Sequence, residues 1–304
     1  MKNKTLISIV GPTAIGKTRI SIEIAKALNT EIISCDSRQF FKEMKIGTAV
    51  PETEELNAVK HHFIQHISIF DEYNVGKFEI DAIDRIEKLF QNKDVLCLTG
   101  GSGLYQKAVL EGLNDFPKVD SQIRRKLNQL YETEGIEALQ KKLSSLDPEY
   151  YSRVDQENPH RLIRALEICI GTGKTFSFYL RQKTINRGFN SLKIGLTADR
   201  EIIYQRIEKR VDNMFKEGLI DEAKKLLPYE GLNALNTVGY KELFQYFENK
   251  LSLEEAKAEI KKNTRRFAKR QLTWYRKETD INWFQYDTDV QKIIGYIKKS
   301  IHHQ

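Results

Sequence analysis

The sequence predicts an α/β fold: a mostly parallel sheet with helices on both faces, a phosphate-binding loop after the first strand, and a helical insertion. Three observations predict it. Short, β-branched apolar runs alternate with segments of helical periodicity, the pattern of strand–helix–strand units. The octapeptide GPTAIGKT, residues 11–18, lies between the first apolar run and the first helical segment. From about residue 117 to 187 no run reads as a strand.

The elements follow in order. Strands are expected over 6–10, 31–34, 63–69, 95–99, 192–197 and 281–286, each a short apolar run suited to a sheet covered on both faces. Helical periodicity lies between most of them, over 18–28, 77–90, 104–110 and 200–216. The stretch without strands carries helical patterns over 121–134, 136–146 and 159–170, and 201–276 is helical again. The expected organisation is a core of 1–116 plus 188–304, with an insertion domain of 117–187. The segment GTGKT at 171–175 resembles a second phosphate loop. However, Ile168 stands where its first glycine belongs and RLIRALEICI before it reads as a helix, so it is expected to be a glycine helix stop after Ile170.

Composition narrows the class. Apolar residues at 40% and charged residues at 30% exclude a disordered chain. No apolar run approaches the roughly 20 residues of a membrane helix. The basic-then-apolar start MKNKTLISIV has no small-residue cleavage site and runs straight into the phosphate loop, so it reads as a first buried strand. Cys35, Cys97 and Cys169 are far apart and show no CxxC spacing, as suits a reducing cytosol. Net charge is +7, which says less than its distribution. No acid occurs from Gly171 to Ala198, and nine basic residues against one acid, Glu259, run from Lys257 to Lys277 with Phe267, Trp274 and Tyr275 among them. Such runs are either solvated helix faces or a polynucleotide surface.

GPTAIGKT fits GxxxxGK[ST] in the required strand–loop–helix setting. The backbone of Gly11, Pro12, Thr13, Ala14, Ile15 and Gly16, with the N-terminus of the next helix, is expected to cradle a diphosphate. Lys17 adds a point charge, and the Thr18 hydroxyl is the expected Mg²⁺ ligand. A nucleotide-hydrolysing protein normally adds an acid at the tip of a neighbouring strand. The run 95–99 instead ends in TGGSG, and the acid follows the second strand as Asp36. That argues against a motor or simple ATPase. It makes Asp36 a candidate general base toward an acceptor, with a turn or N-cap as the alternative. The glycines of 100–103 allow either close approach to a ligand or a plain strand-to-helix turn.

The ordered set GPTAIGKT, DSRQFFKEMKIGTAVP, HHFI, LTGGSGLY, NPHRLIRALEI, GYKEL and RRFAKRQLTWYR spans residue 5 to about 276 and resembles the tRNA dimethylallyltransferase (tRNA isopentenyltransferase, or IPP transferase) family. The resemblance implies a P-loop NTPase-like, nucleoside-kinase-like core with a helical insertion. It implies transfer of a dimethylallyl group from dimethylallyl diphosphate to the N6 amine of the adenosine 3′ of a tRNA anticodon. Asp36, Lys17, Thr18 and Arg210 are the implied catalytic residues, with Mg²⁺ as cofactor, and Arg206 lies one turn before Arg210. The implied tRNA contacts are Asp36, Ser37, Arg38, Gln39, Ser102, Asn158, Pro159, His160, Arg161, Gly239, Lys241, Arg265, Lys269 and Arg270. The implied partner is the anticodon stem-loop, with no membrane. A cytoplasmic monomer is the default expectation.

The sequence departs from the family at Phe40-Phe41-Lys42-Glu43-Met44, where a Val or Ile and then Tyr-Arg-Gly-Met is common. This loses a hydroxyl and adds an acid, which bears on the choice of tRNA rather than on the reaction. No Cys/His pair has zinc-finger spacing, and His61-His62 lacks a metal-site constellation. A small-metabolite kinase, an AMP-accepting isopentenyltransferase and an RNA-binding protein with a relict loop are the alternatives. The basic helical C-terminal part, the insertion and the intact Lys17, Thr18 and Asp36 weigh against them.

Overall fold

The computed structural model describes residues 4–180 and 186–302. Along the chain the elements are β1 Thr5–Val10, α1 Lys17–Ala27, β2 Ile32–Ser34, α2 Thr53–Ala58, β3 His61–His62, α3 Val75–Phe90, β4 Val95–Thr99 and α4 Gly103–Glu111. Then come α5 Ser121–Leu146, α6 Pro148–Tyr151, α7 Pro159–Thr172 and α8 Phe176–Leu180. The chain closes with β5 Asn190–Thr197, α9 Arg200–Lys216, α10 Leu219–Leu226, α11 Tyr240–Phe247, α12 Leu253–Tyr275, β6 Ile281–Gln285 and α13 Val290–His302.

They form two compact units, residues 1–111 with 187–304, and residues 112–186. In the first, all six strands pair in parallel in the order β3-β2-β4-β1-β5-β6. Every residue of β1 is buried, as a central parallel strand with helices on both faces requires. On one side Ile20 and Ile24 of α1, Ile203 and Ile207 of α9 and Ile293 and Ile297 of α13 share one apolar cluster with the sheet. On the other, Phe78, Ala82 and Ile86 of α3 pack with Leu96 and Leu98. The second unit is helical, built around Leu139, Leu143, Leu162 and Leu166. Its α5 is broken at Gly135, which leaves helical geometry with φ 80°.

Two sequence expectations change. The strand over 63–69 is absent. β3 holds only His61 and His62, and Phe63 and Gln65 adopt φ of 64° and 47°, which breaks an extended chain. Phe63 and His66 instead join an aromatic cluster, packing edge-on with Phe40, Phe78 and Tyr73. The glycine helix stop comes two residues late, because α7 continues to Thr172 and Gly173 caps it in the left-handed region.

Candidate active site

The phosphate loop is a turn between β1 and α1. Gly16 takes φ 106° as the N-cap, and no side chain caps the helix, so the first-turn amides of α1 are left for an anion. Lys17 Nζ donates to the carbonyls of Gly11 (3.0 Å) and Pro12 (2.9 Å). Burial pushes its ammonium down to about 8, opposed by the Asp36 carboxylate and reinforced by Arg210. Arg210 Nη1 donates to Thr13 Oγ1 (3.0 Å) and Arg206 Nε to the Ala14 carbonyl (2.7 Å). Arg206 and Arg210 of α9 therefore both bind the loop, and neither forms an ion pair among the described residues. Burial pulls the Arg210 guanidinium below its usual range, with Asp36 opposing.

Asp36 follows β2, next to β4 in the sheet. The Asp36 carboxylate accepts the Arg38 amide N–H at 3.2 Å. A side chain on Gly100 would lie 2.5 Å from the Cys35 carbonyl carbon and 2.6 Å from the Asp36 nitrogen. One on Gly101 would lie 2.8 Å from Asp36 Oδ2. The close approach these glycines allow is thus to the tip of β2 itself. The end of β4, where a nucleotide-hydrolysing enzyme carries its acid, has no room for a side chain at Gly100, where backbone stands in the way, and takes one at Gly101 only if the Asp36 carboxylate moves.

Phosphate loop and carboxylate face one cavity of about 800 Å³. Its polar part includes Lys17, Thr18, Asp36, Arg206, Lys209 and Arg210, and its apolar part Ile46, Val50, Pro51, Ile64, Met214 and Phe267. An anion and a hydrocarbon group can therefore be held in one cavity whose lining includes a carboxylate.

Of the other sequence-predicted residues, Ser37 and Ser102 join by a 2.9 Å hydroxyl–hydroxyl bond, and Ser102 Oγ also accepts the Ser37 amide. Gln39 lines the cavity with its amide donated to the carbonyls of Thr48 and Ala49. Arg38 donates to the carbonyls of Asn233, Ala234 and Asn236. Gly239 is buried, its amide donating to Glu242, and Lys241 is exposed. Asn158, Pro159, His160 and Arg161 belong to the other unit, where Asn158 caps α7 and Pro159 is its first residue. The family departure turns inward: Phe40 and Phe41 are buried, and Glu43 accepts from Ser68 Oγ (2.6 Å) and the Ile69 amide (3.0 Å).

The basic run of α12 divides into two sets. Lys257 and Lys261 pair with Asp212, and Arg265 with Glu208, tying α12 to α9. Lys269 and Arg270 are exposed, Arg270 lying 5.8 Å from the Phe267 ring centroid.

Gln271 was not among the predicted residues. It is buried, its Oε1 accepts the Thr13 amide and its Nε2 donates to the Gly101 carbonyl, both at 2.7 Å. One side chain of α12 thereby clamps the phosphate loop to the loop after β4. The available signal was an uncharged amide, one of two with Asn263, within a basic helix, which carries little weight alone. Gln271→Leu leaves a buried donor and acceptor unpaired, so a loss of about 1–3 kcal/mol of stability is expected. A roughly tenfold fall in kcat/KM should accompany it, read by thermal unfolding and steady-state kinetics.

Comparison with known proteins places these features in one group. The model of the family described as IPP transferase matches residues 39–278. The tRNA dimethylallyltransferase of Christiangramia forsetii is 63% identical over 296 residues, covering 97% of this chain and 98% of that protein. The Flavobacterium johnsoniae tRNA dimethylallyltransferase is 54% identical, covering 98% of each. Among solved structures, the full-length tRNA isopentenylpyrophosphate transferase of Bacillus halodurans aligns with TM-score 0.74 and 38% identity over 99% of this chain and 97% of that one. A eukaryotic dimethylallyltransferase captured acting on tRNA aligns with TM-score 0.83 and 26% identity, over 99% of this chain and 80% of that one. The parallel sheet is the P-loop NTPase-like core of this group.

Proposed function

The chain belongs to the IPP transferase family, and from that premise we propose that it prenylates tRNA. The reaction moves a dimethylallyl group from dimethylallyl diphosphate to the exocyclic N6 amine of the adenosine immediately 3′ of the anticodon, releasing diphosphate. One observation carries the reading: a phosphate loop and a carboxylate share a part-apolar cavity, while the strand tip that would serve ATP hydrolysis ends in glycines packed on Asp36.

The chemistry follows from the charges. As the allylic C–O bond breaks, its electron pair leaves with the diphosphate, and the allyl unit carries delocalised positive charge. The loop amides, Lys17 and Arg210 stabilise the departing anion where its charge grows. The N6 lone pair forms the new C–N bond, and Asp36 accepts the proton the amine loses. An anticodon-loop base is unstacked more readily than one in a duplex, so it can enter the cavity from a single-stranded segment.

Mg²⁺ suits this site. Thr18 lines the cavity beside Lys17, and a magnesium site needs few protein oxygens when phosphate and water supply the rest. Among the described residues no cluster of three or more His, Cys, Asp or Glu offers an alternative all-protein site. When bound, the ion would neutralise diphosphate charge. Lys269 and Arg270, exposed and free of ion pairs among the described residues, are assigned to the tRNA backbone, together with Asn158–Arg161 of the second unit. Arg265 is assigned to holding α12 against α9. A tRNA substrate goes with a cytoplasmic location, and a monomer suffices for a cavity built within one chain. No helix among the described residues is long and apolar enough to cross a membrane.

The test is nucleoside digestion and mass spectrometry after incubation with Mg²⁺, dimethylallyl diphosphate and unmodified tRNA bearing adenosine 3′ of the anticodon. A C5H8 gain on that adenosine is expected. Modification of free AMP instead would move the activity to a nucleotide prenyltransferase. No gain on either, with ATP consumed on addition of a metabolite, would favour a kinase.

A further inference from the structure

The segment from Phe41 to Pro51 contains neither helix nor strand, yet Lys45, Ile46, Ala49, Val50 and Pro51 form one wall of the cavity. Backbone without a ladder must find other partners. Part of the need is met internally: Thr48 Oγ1 donates to the Met44 carbonyl, and the Val50 amide to that of Lys45. The amides of three consecutive residues all point outward to one side chain. Glu222 Oε2 accepts from Lys45 N (3.0 Å) and Ile46 N (2.8 Å), and Oε1 from Gly47 N (2.9 Å). The Tyr240 hydroxyl donates to the same Oε1 at 2.7 Å. Successive amides turned to one point make an anion-binding concavity, and here the protein's own carboxylate fills it.

The packing beneath is equally fixed. Tyr240 is fully buried, and a side chain on Gly47 would sit 2.6 Å from its ring and hydroxyl. Beyond the amides, Gln39 Nε2 holds the Thr48 and Ala49 carbonyls, and Ala49 keeps a left-handed φ of 48°. A non-glycine residue stays in that region only where its surroundings over-determine it. Glu222 and Gln39 therefore suspend the wall between them. Neither Glu222 nor Tyr240 lines the cavity, so they act on it only through residues 45–51.

We propose that Glu222 is a positioning residue that fixes this wall and so limits the length of the allylic diphosphate accepted, a role that rests on the prenyl-transfer reading above. Glu222→Gln keeps the volume but replaces one acceptor oxygen with a donor, so one pair of the four donors loses its partner. In hydrogen exchange of the full-length protein, the amides of Lys45–Gly47 should lose at least about tenfold protection as local opening becomes easier. In kinetics, KM for dimethylallyl diphosphate should rise roughly tenfold with kcat within about threefold, the mark of lost ground-state positioning. The kcat/KM of geranyl diphosphate relative to dimethylallyl diphosphate should rise by about tenfold as the wall yields. Tyr240→Phe removes one donor and leaves the carboxylate, so it should shift both readouts the same way by roughly threefold. It decides the matter if Glu222→Gln does not fold. Unchanged exchange at 45–47 overturns the proposal. Lost protection with an unchanged C10-to-C5 ratio overturns the specificity role. Wild-type protein that transfers nothing from dimethylallyl diphosphate defeats the prenyl reading instead, and the exchange arm still decides whether Glu222 holds the wall.

Discussion

Asp36→Asn is expected to lower kcat by about three orders of magnitude, the scale of a positioned proton acceptor, while tRNA affinity changes little. Asparagine is the informative replacement because of what Asp36 also does. Its carboxylate accepts the Arg38 amide and packs against Gly101, and an amide oxygen of the same shape preserves both roles. What is lost is the negative charge and the ability to take a proton. That charge also opposes the burial that weakens the cationic forms of Lys17 and Arg210. In the variant, a phosphate ester no longer meets a carboxylate at its edge, so dimethylallyl diphosphate should bind as tightly as before or more tightly. Falling kcat with unchanged or improved KM separates loss of the base from collapse of the site. Asp36→Ala, which removes the turn acceptor as well, should be equally inactive and less stable. Normal turnover in the asparagine variant would remove Asp36 from the mechanism.

The contrast between Asp36 and Gln271 shows what the sequence made legible. The phosphate loop, the five longer strands and the helices beside them follow from local pattern, because period-2 and period-3.6 burial and the glycines of GPTAIGKT act over a few residues. Asp36 could be singled out because it follows a predicted strand. Gln271 could not: its partners, Thr13 and Gly101, lie 258 and 170 residues away in the chain. The wall over 41–51 was equally opaque, since its shape depends on Glu222 and Gln39 rather than on its own propensity. The expected strand at 63–69 failed for the related reason that Phe63 and Gln65 turn the chain out of extension and Phe63 and His66 join an aromatic cluster with distant residues. The basic run of α12 was legible as charge, but its division into residues pairing with α9 and exposed residues needed three dimensions.

Lys17→Met should reduce kcat/KM for dimethylallyl diphosphate by about 10²–10³, the cost of removing one donor aimed at developing charge. The ammonium gives two hydrogen bonds to the Gly11 and Pro12 carbonyls, which leaves its third N–H for a phosphate oxygen. Its depressed pKa adds a second, independent signature. In the free protein the charged form is lost as pH rises through about 8, because burial disfavours it. Bound diphosphate favours that form and raises the pKa, so binding takes up a proton above pH 8. Affinity for inorganic diphosphate, measured by calorimetry across the alkaline range, should therefore fall as pH rises from about 8. In Lys17→Met the share of that slope due to the protein should vanish, and whatever slope remains belongs to the ligand. Stability has the opposite sign. A lysine whose folded pKa lies below its unfolded value disfavours the fold while charged, and the penalty lifts between about 8 and 10.5. At neutral pH the methionine variant should consequently unfold at a higher temperature than wild type while losing its ligand. A residue that only supported the loop would lose both together. A variant that is more stable, yet binds diphosphate weakly and without the alkaline slope, identifies Lys17 as a charge held at a cost to the fold for the anion it binds.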